Sequence, residues 1–459
     1  MTPHNPLSPD PRQATPGGGA PRGGSRERLA QCALWAAGLL LAGCSMKTPQ
    51  STLDPHGLVA RDQLALFWTT IWVSLFIFVT VGGAMAWVVW KFREKPGDKD
   101  KPMPEQGHGN PMIEISLITA SIALLVIIAV PTLKAIFLTD ALPTNEPFWK
   151  PSTLGQWYAK VGPVPETQAD KPLQIVVRGK QWWWVFEYPQ FGITTANEFV
   201  MPAGKVVVFD LRSDNVIHSF WLPKIAGKVD LIPGRANWMW MMPDDGQAAT
   251  ADYDHGPLGA DKYENGLYYG QCAQYCGESH AFMLFRSRVV SDQDFAQWVT
   301  DSQKKVPAPA AAGDWPKFIA GALGDPTKGR QPDTSMLSTE AQRGAALFFG
   351  RANCVKCHSI YGSPAAATGG PNLTRVASRT SIAAGFLDNL DNNGEKIDPA
   401  RQEDNFFNWI SHPYDYKPGN LMWYVKGGLG DIVAANEANH TPITKQDWHD
   451  LAAFLMTLK

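Results

Sequence analysis

The sequence predicts a multi-domain membrane protein built from a two-helix transmembrane hairpin, an all-β domain and an all-α domain. Three observations predict it. Two apolar runs, Leu64–Trp90 and Ile113–Leu138, each exceed the roughly 20 residues that a helix needs to cross a bilayer. From Pro172 to Ser291, short segments rich in Val, Ile, Phe, Trp and Tyr are punctuated by Pro and Gly, as strands are. Beyond Met336 the apolar residues fall at helical spacing. A chain of 459 residues also exceeds one ordinary core, since about 150 residues per domain gives roughly three units. The formal net charge of -2 offers no broad attraction for nucleic acid, so partners are sought at local sites.

Residues 1–25 are rich in Pro, Gly and Ser and too poor in apolar side chains to bury a core, which predicts disorder. Arg26 and Arg28 then precede the apolar stretch Ala33–Ala42, short for a span but suited to the central region of a secretory signal. It ends in Leu41-Ala42-Gly43-Cys44, which resembles a bacterial lipoprotein signal and implies cleavage before a lipid-modified Cys44. An uncleaved anchor helix is the alternative. The hairpin is expected over 45–141. Its loop carries Lys91, Arg93, Lys95, Lys99 and Lys101, and such an excess marks the cytoplasmic side. Everything after Leu138 is then expected on the periplasmic or outer face, as is the lipid on Cys44.

The all-β domain, 142–301, is expected as a sandwich or barrel, with strands at Leu173–Val177, Trp182–Tyr188, Lys205–Leu211, Ala236–Met242, Leu267–Tyr269 and Phe282–Val290. It contains Cys272, Cys276, His280 and Met283 close together, with His218 well upstream. Thiol, imidazole and thioether form a soft donor set that favours copper over magnesium or calcium. Zinc competes, because two Cys and two His close a tetrahedral site, although this leaves Met283 as plain core. Of the six cysteines, Cys32 and Cys44 lie in the N-terminal stretch and Cys354 and Cys357 lie beside His358, so none remains for a structural disulfide.

Residues 302–335, rich in Lys, Pro, Ala and Gly, read as a linker, and the all-α domain is expected over 336–459. Thr339 and Gln342 stand at capping-box spacing ahead of Ala345, Leu347 and Phe348. In Cys354-Val355-Lys356-Cys357-His358 two thiols can add to a haem's vinyl groups while the adjacent His binds its iron. A thioether as the opposite ligand would raise the reduction potential. Met336, Met422 and Met456 are the candidates. Met336 lies too close to the first helix and Met456 reads as helix core, which leaves Met422. His412, His440 and His449 read as surface or helix-end residues.

Several of these stretches together resemble the caa-type haem-copper oxidases. The string Cys272-Ala-Gln-Tyr-Cys276-Gly-Glu-Ser-His280-Ala-Phe-Met283, with Asn215–Pro223 and Lys228–Arg235 upstream, is similar to the dinuclear CuA domain of cytochrome c oxidase subunit II. Lys417–Met422 and Gly370–Leu373 resemble the distal and proximal loops of class I cytochromes c. The resemblance implies a cupredoxin-like fold in which Cys272 and Cys276 bridge two coppers. His218, His280, Met283 and the carbonyl of Gln274 would complete the set. It also implies covalent haem c on Cys354 and Cys357, with His358 and Met422 as axial ligands and Pro371 orienting His358. Trp182 would relay electrons, while at least one of Trp183 and Trp184 reads as a strand aromatic filling a core. Glu114, at the cytoplasmic start of the second span, would mark a proton-path entry or simply anchor the interface.

Two residues depart from the family. Gln274 replaces a Glu whose carboxylate also holds magnesium, which keeps the carbonyl and leaves magnesium open. Asn215 replaces a frequent Asp near the docking face for cytochrome c. The implied function is electron entry from haem c to CuA and on to subunit I, with oxygen reduction and proton pumping there. Expected partners are subunits I and III, a donor (cytochrome c or a quinol:cytochrome c reductase) and membrane lipid, in the bacterial inner membrane as a multi-pass protein. A CuA-containing nitric oxide reductase subunit and a membrane-tethered copper and haem shuttle without an enzyme partner are the rival readings.

Overall fold

The structure is a computed structural model that describes residues 48–94, 107, 109–140, 172–244, 266–309, 313–394 and 396–459. The stretch 1–44 with its lipoprotein-type signal and Cys44, and Lys95, Lys99 and Lys101 of the hairpin loop, lie outside the described residues.

Helix α1 spans Leu58–Phe92 and α2 spans Pro111–Asp140, of 35 and 30 residues, so each is long and apolar enough to cross a membrane. Large side chains such as Trp72, Phe78, Leu117 and Leu125 point outward along both. Hydroxyls within them are satisfied locally, as where Thr80 and Thr119 bond the carbonyls of Phe76 and Ile115. The helices run past the apolar stretches at both ends. At its start α1 is tied to the next domain, for Leu58 N–H donates to Met242 O (3.0 Å) and His56 N–H to Lys224 O (2.6 Å).

Ten strands follow: β1 Leu173–Lys180, β2 Trp183–Tyr188, β3 Ile193–Ala196, β4 Glu198–Pro202, β5 Val207–Ser213, β6 His218–Trp221, β7 Lys228–Leu231, β8 Asn237–Met241, β9 Gly266–Cys272 and β10 Leu284–Val290. They form two sheets, ordered β3-β2-β1-β5-β8 and β4-β10-β9-β6-β7, in which β1–β5 and β4–β10 are parallel pairs. Phe186, Phe199, Phe209, Phe220 and Phe285 pack between the sheets, with Phe220 and Phe285 stacked at 4.5 Å. This is the expected cupredoxin-like sandwich, with four strands that the sequence reading missed. Three of them, β3, β6 and β7, have only four residues, too few for an alternation to register. The fourth, β4, is buried at every position and shows no alternation at all. Helix α3, Asp292–Ser302, capped by Ser291, closes one end of the sandwich through Trp298 against Tyr188.

The expected linker 302–335 is corrected by α4, Trp315–Leu323, whose Trp315, Phe318 and Ala322 lie in the C-terminal core. Their spacing is a helical stripe that the Pro, Ala and Gly around it dilute. Trp315 Nε1 donates to Val306 O (3.0 Å), so this core begins well before Met336. Helix α5, Glu340–Phe349, opens on the capping box of Thr339 and Gln342 that the spacing predicts. After it come the two-residue pair β11 Ser381–Ile382 and β12 Leu387–Asp388, then α6 Pro399–Ser411, α7 Pro413–Tyr416, α8 Leu421–Tyr424, α9 Leu429–Ala438 and α10 Lys445–Met456. Helices α5 and α10 cross closely at Gly344, and Arg343 forks onto buried Asp450 at 2.7 and 2.8 Å.

Candidate functional site

Strands β6 and β9 are neighbours, with Phe220 opposite Cys272, and this pairing carries His218 to the loop that follows β9. The short turn His280–Phe282 returns the chain to β10. The result is one cluster. Cys272 Sγ lies 3.8 Å from Cys276 Sγ, 3.9 Å from His218 Nδ1 and 3.2 Å from the carbonyl of Gln274. Cys276 Sγ lies 3.5 Å from His280 Nδ1 and 3.8 Å from Met283 Sδ. His218 and Met283 are fully buried and both thiols nearly so. The hydrogen bond between the two thiols holds Cys272 below the usual thiol range and pushes Cys276 above it.

Around this cluster a second layer sets orientation. Asn215 Oδ1 lies 3.0 Å from His218 Nε2. An amide oxygen only accepts, so Nε2 carries the proton and the Nδ1 lone pair faces the thiols. Asn215 therefore has a structural task that its reading as a lost docking charge overlooked. Its amide also donates to Gln181 Oε1 (3.1 Å), and Gln181 Nε2 donates to Cys276 O (2.8 Å). The Gln274 side chain is exposed. A donor set of two thiols, two imidazoles, a thioether and a carbonyl fits soft copper, and Met283 facing the thiols gives the thioether a place that tetrahedral zinc would not use.

The second site is a cleft in the C-terminal domain, lined by Cys354, Cys357, His358 and Met422 among apolar residues such as Phe348 and Leu451. His358 Nδ1 donates to Pro371 O (2.8 Å), which leaves Nε2 free to bind a metal. Burial holds the His358 imidazole below its usual range and pushes the Cys354 thiol up to about 12. The Gly370 backbone lies so near the His358 ring that an added Cβ would meet it at 2.8 Å. Met422 sits in α8, capped by Asn420, whose Oδ1 accepts from Trp423 N–H (3.1 Å). Met336 packs instead on Gly321 and Met456 on the domain core, and neither lines the cleft. Paired thiols, an imidazole with a free nitrogen and a facing thioether in an apolar cleft fit a covalently held haem.

Trp182 stands between the two sites. Its Nε1 donates to Cys276 O (3.0 Å), and its own carbonyl accepts from Lys417 Nζ (2.5 Å). Gly419 lies against its ring, where a Cβ would come within 3.1 Å, and Ser279 Oγ donates to Pro418 O (2.6 Å). The loop that leads to Met422 thus rests on the Trp182 ring. Lys417, only 3% exposed, was missed at the sequence level because nothing local distinguishes it from a surface lysine. Glu198 and Arg286, buried on adjacent strands, were missed for the same reason. Glu114 lies in the first turn of α2, away from both clusters.

Residues 192–248 match the family model for the periplasmic domain of cytochrome c oxidase subunit II, and residues 341–459 match that for cytochrome c. Cytochrome c oxidase subunit 2 of Bacillus sp. strain PS3 is 31% identical over 427 residues, which covers 92% of this chain and 94% of that protein. The subunit 2 of Alkalihalophilus pseudofirmus is 29% identical over 424 residues, again 92% and 94% of the two chains. That of Bacillus subtilis is 28% identical over 388 residues, 84% and 88%. A match of this extent, carried along both soluble domains and the hairpin, places the chain in the cytochrome c oxidase subunit 2 family, in the form that bears a cytochrome c domain at its C-terminus.

Proposed function

We propose that this chain is the electron-entry subunit of its oxidase, with a dinuclear copper centre on His218, Cys272, Cys276, His280, Met283 and the Gln274 carbonyl, and a covalent haem c on Cys354, Cys357, His358 and Met422. When bound, the two groups supply one-electron redox chemistry, delivered to the oxygen-reducing subunit I and there coupled to proton pumping. The observation that carries the reading is Trp182, hydrogen-bonded to the Cys276 carbonyl on one side and to Lys417 of the Met422 loop on the other. The chain's own residues join the two sites through buried atoms, for Trp182 is 8% exposed and Lys417 is buried. Asn215 and Pro371 fix the rings of His218 and His358 so that one nitrogen of each faces its site.

The hairpin exposes apolar side chains on all sides and is suited to packing against membrane helices of subunit I. We extend the proposal to subunit III, to a cytochrome c or quinol:cytochrome c reductase as donor, and to membrane lipid at a processed Cys44. Both soluble domains then face the periplasm from a multi-pass anchor in the inner membrane, with Glu114 at the cytoplasmic end as a proton-path entry. Gln274 offers a neutral amide where a carboxylate would hold magnesium, so magnesium stands outside the proposal. The rival readings, a nitric oxide reductase subunit or a free shuttle, are disfavoured by relatives that are oxidase subunits over 92% of the chain.

Cys272→Ser in the full complex tests the proposal. It should abolish the copper absorption and oxygen uptake from reduced cytochrome c and leave the haem c spectrum intact. Copper retained with a normal spectrum, or one zinc per chain in the parent protein, would overturn it.

A further inference from the structure

We infer that Glu198 and Arg286 form a latch that seats the cytochrome domain on the copper domain, and that Glu198 is a positioning residue for transfer between the two sites. The inference rests on the function proposed above. Glu198 on β4 and Arg286 on β10 are direct partners in a parallel register, 8% and 3% exposed. A buried carboxylate is tolerated only where hydrogen bonds replace its water.

Here the replacements come from the cytochrome domain. Glu198 accepts from Thr380 N–H and Oγ1 (both 2.9 Å) and from Ser381 N–H and Oγ (both 2.7 Å). Arg286 Nη1 donates to Thr380 O (2.8 Å) and Oγ1 (3.0 Å), while Nη2 pairs with Asp388 at 3.2 Å. Every polar group of Thr380 is therefore engaged by one acid–base pair of the neighbouring domain. Charge-assisted bonds of this kind are the stronger class, and several converging on one residue fix its position as well as its presence.

The latch leads directly to the electron-transfer seam. Beyond Ser381, Ala384 O accepts from Leu284 N–H at the start of β10 (3.0 Å), and Ala383 O accepts from Lys417 Nζ (3.4 Å). Lys417 also donates to Trp182 O. Ala383 and Ala384 hold positive φ of 54° and 59°, a conformation that alanine keeps only where its surroundings enforce it. A continuous path of hydrogen bonds and four residues of backbone thus joins Glu198 to Trp182. Freeing Thr380 and Ser381 should loosen the support of the Met422 loop without touching any residue that would hold copper or haem.

The test uses the full chain in its complex, with Glu198→Ala, Glu198→Gln and Glu198→Asp. Three quantities are read: amide hydrogen exchange at Thr380 and Ser381, the rate of haem-to-copper transfer after photoreduction, and the two absorption spectra with the haem potential. Glu198→Ala and Glu198→Gln should speed the exchange about tenfold or more. They should slow the transfer, by up to the roughly hundredfold that a misplacement of about 1 Å can cost a positioned reaction, with spectra and potential unchanged. Glu198→Asp, which keeps the charge, should recover part of both. Should Glu198→Ala not fold, Thr380→Val removes the shared hydroxyl from the other side at nearly constant volume. Unchanged exchange overturns the latch, and faster exchange with an unchanged transfer rate overturns the positioning role. A parent protein loaded with both groups that passes no electron between them refutes the proposed function instead, while exchange still decides the latch.

Discussion

Gly344 and Gly321 predict opposite outcomes for one substitution. Both lie inside helices, where Gly→Ala is worth about 1 kcal/mol of stability from propensity alone. A Cβ on Gly344, however, would lie 1.9 Å from Asp450 O and 2.9 Å from Leu451 Cα, both backbone atoms of α10. No rotamer relieves that contact, so α5 and α10 must separate by roughly an ångström. Overpacking of this kind costs about 1–3 kcal/mol, and the upper end applies where backbone must move. The clash wins, for a net loss of about 2 kcal/mol and a fall in Tm of roughly 5–10 °C for a domain of this size. At Gly321 the near atom is Met336 Sδ, the end of a flexible side chain that can turn away, so Gly321→Ala should be neutral or slightly stabilising. Thermal unfolding of the haem-loaded full chain, followed at the haem absorption band, reads the domain that carries both glycines. Because Phe348 on α5 and Leu451 and Leu455 on α10 line the cleft proposed for haem, Gly344→Ala should also perturb that band before unfolding. A Tm for Gly344→Ala at or above the parent's, or an equal fall for Gly321→Ala, would refute the reasoning.

Two further outcomes test the sites and their setting. Met422→Leu should lower the haem potential by on the order of 0.1 V, within the roughly 0.8 V span that axial ligands control, while Met456→Leu leaves it in place; a redox titration decides. His56, buried beside Asp54, Lys224 and Tyr268 where the chain enters α1, is held below the ordinary imidazole range by burial. The unfolded chain, with a pKa near 6.5, then binds more protons than the native one below that pH. His56 contributes its full share of stability above about pH 6.5 and loses it as pH falls, with a slope of at most about 1.4 kcal/mol per unit. Urea unfolding at pH 7.5 and 5.5 should show this loss in the parent and a smaller one in His56→Gln, and equal losses would exclude His56 as the source.

What the sequence revealed follows how far each signal reaches along the chain. The capping box at Thr339, the apolar hairpin and the cysteine–histidine string at Cys354 are all contained within a few turns, and each was readable in place. Long strands with aromatic residues were found, whereas β4 escaped because burial on both faces removes the alternation that a reader counts. The linker misreading came from averaging composition over a stretch in which only Trp315, Phe318 and Ala322 carried the helix. Lys417, Glu198 and Arg286 were illegible for a different reason. Their partners lie far along the chain, Lys417 at 235 positions from Trp182 and Glu198 at 182 from Thr380. Burial turns such residues from ordinary surface charges into fixed contacts, and no local pattern announces it. Asn215 was noticed, but its bond to His218 depends on the turn before β6, which only the fold supplies.

The two donor sets differ in when they can exist. Cys354, Cys357 and His358 are neighbours along the backbone, so on the proposed assignment a porphyrin could join them while the segment is still extended. His218 and Cys272 stand 54 residues apart and come together only once β6 has paired with β9 and the sandwich has closed around its phenylalanines. On the proposed assignment, porphyrin attachment would have no need to wait for folding, whereas metal insertion would, and a variant that slows sandwich closure should accumulate red, copper-deficient protein.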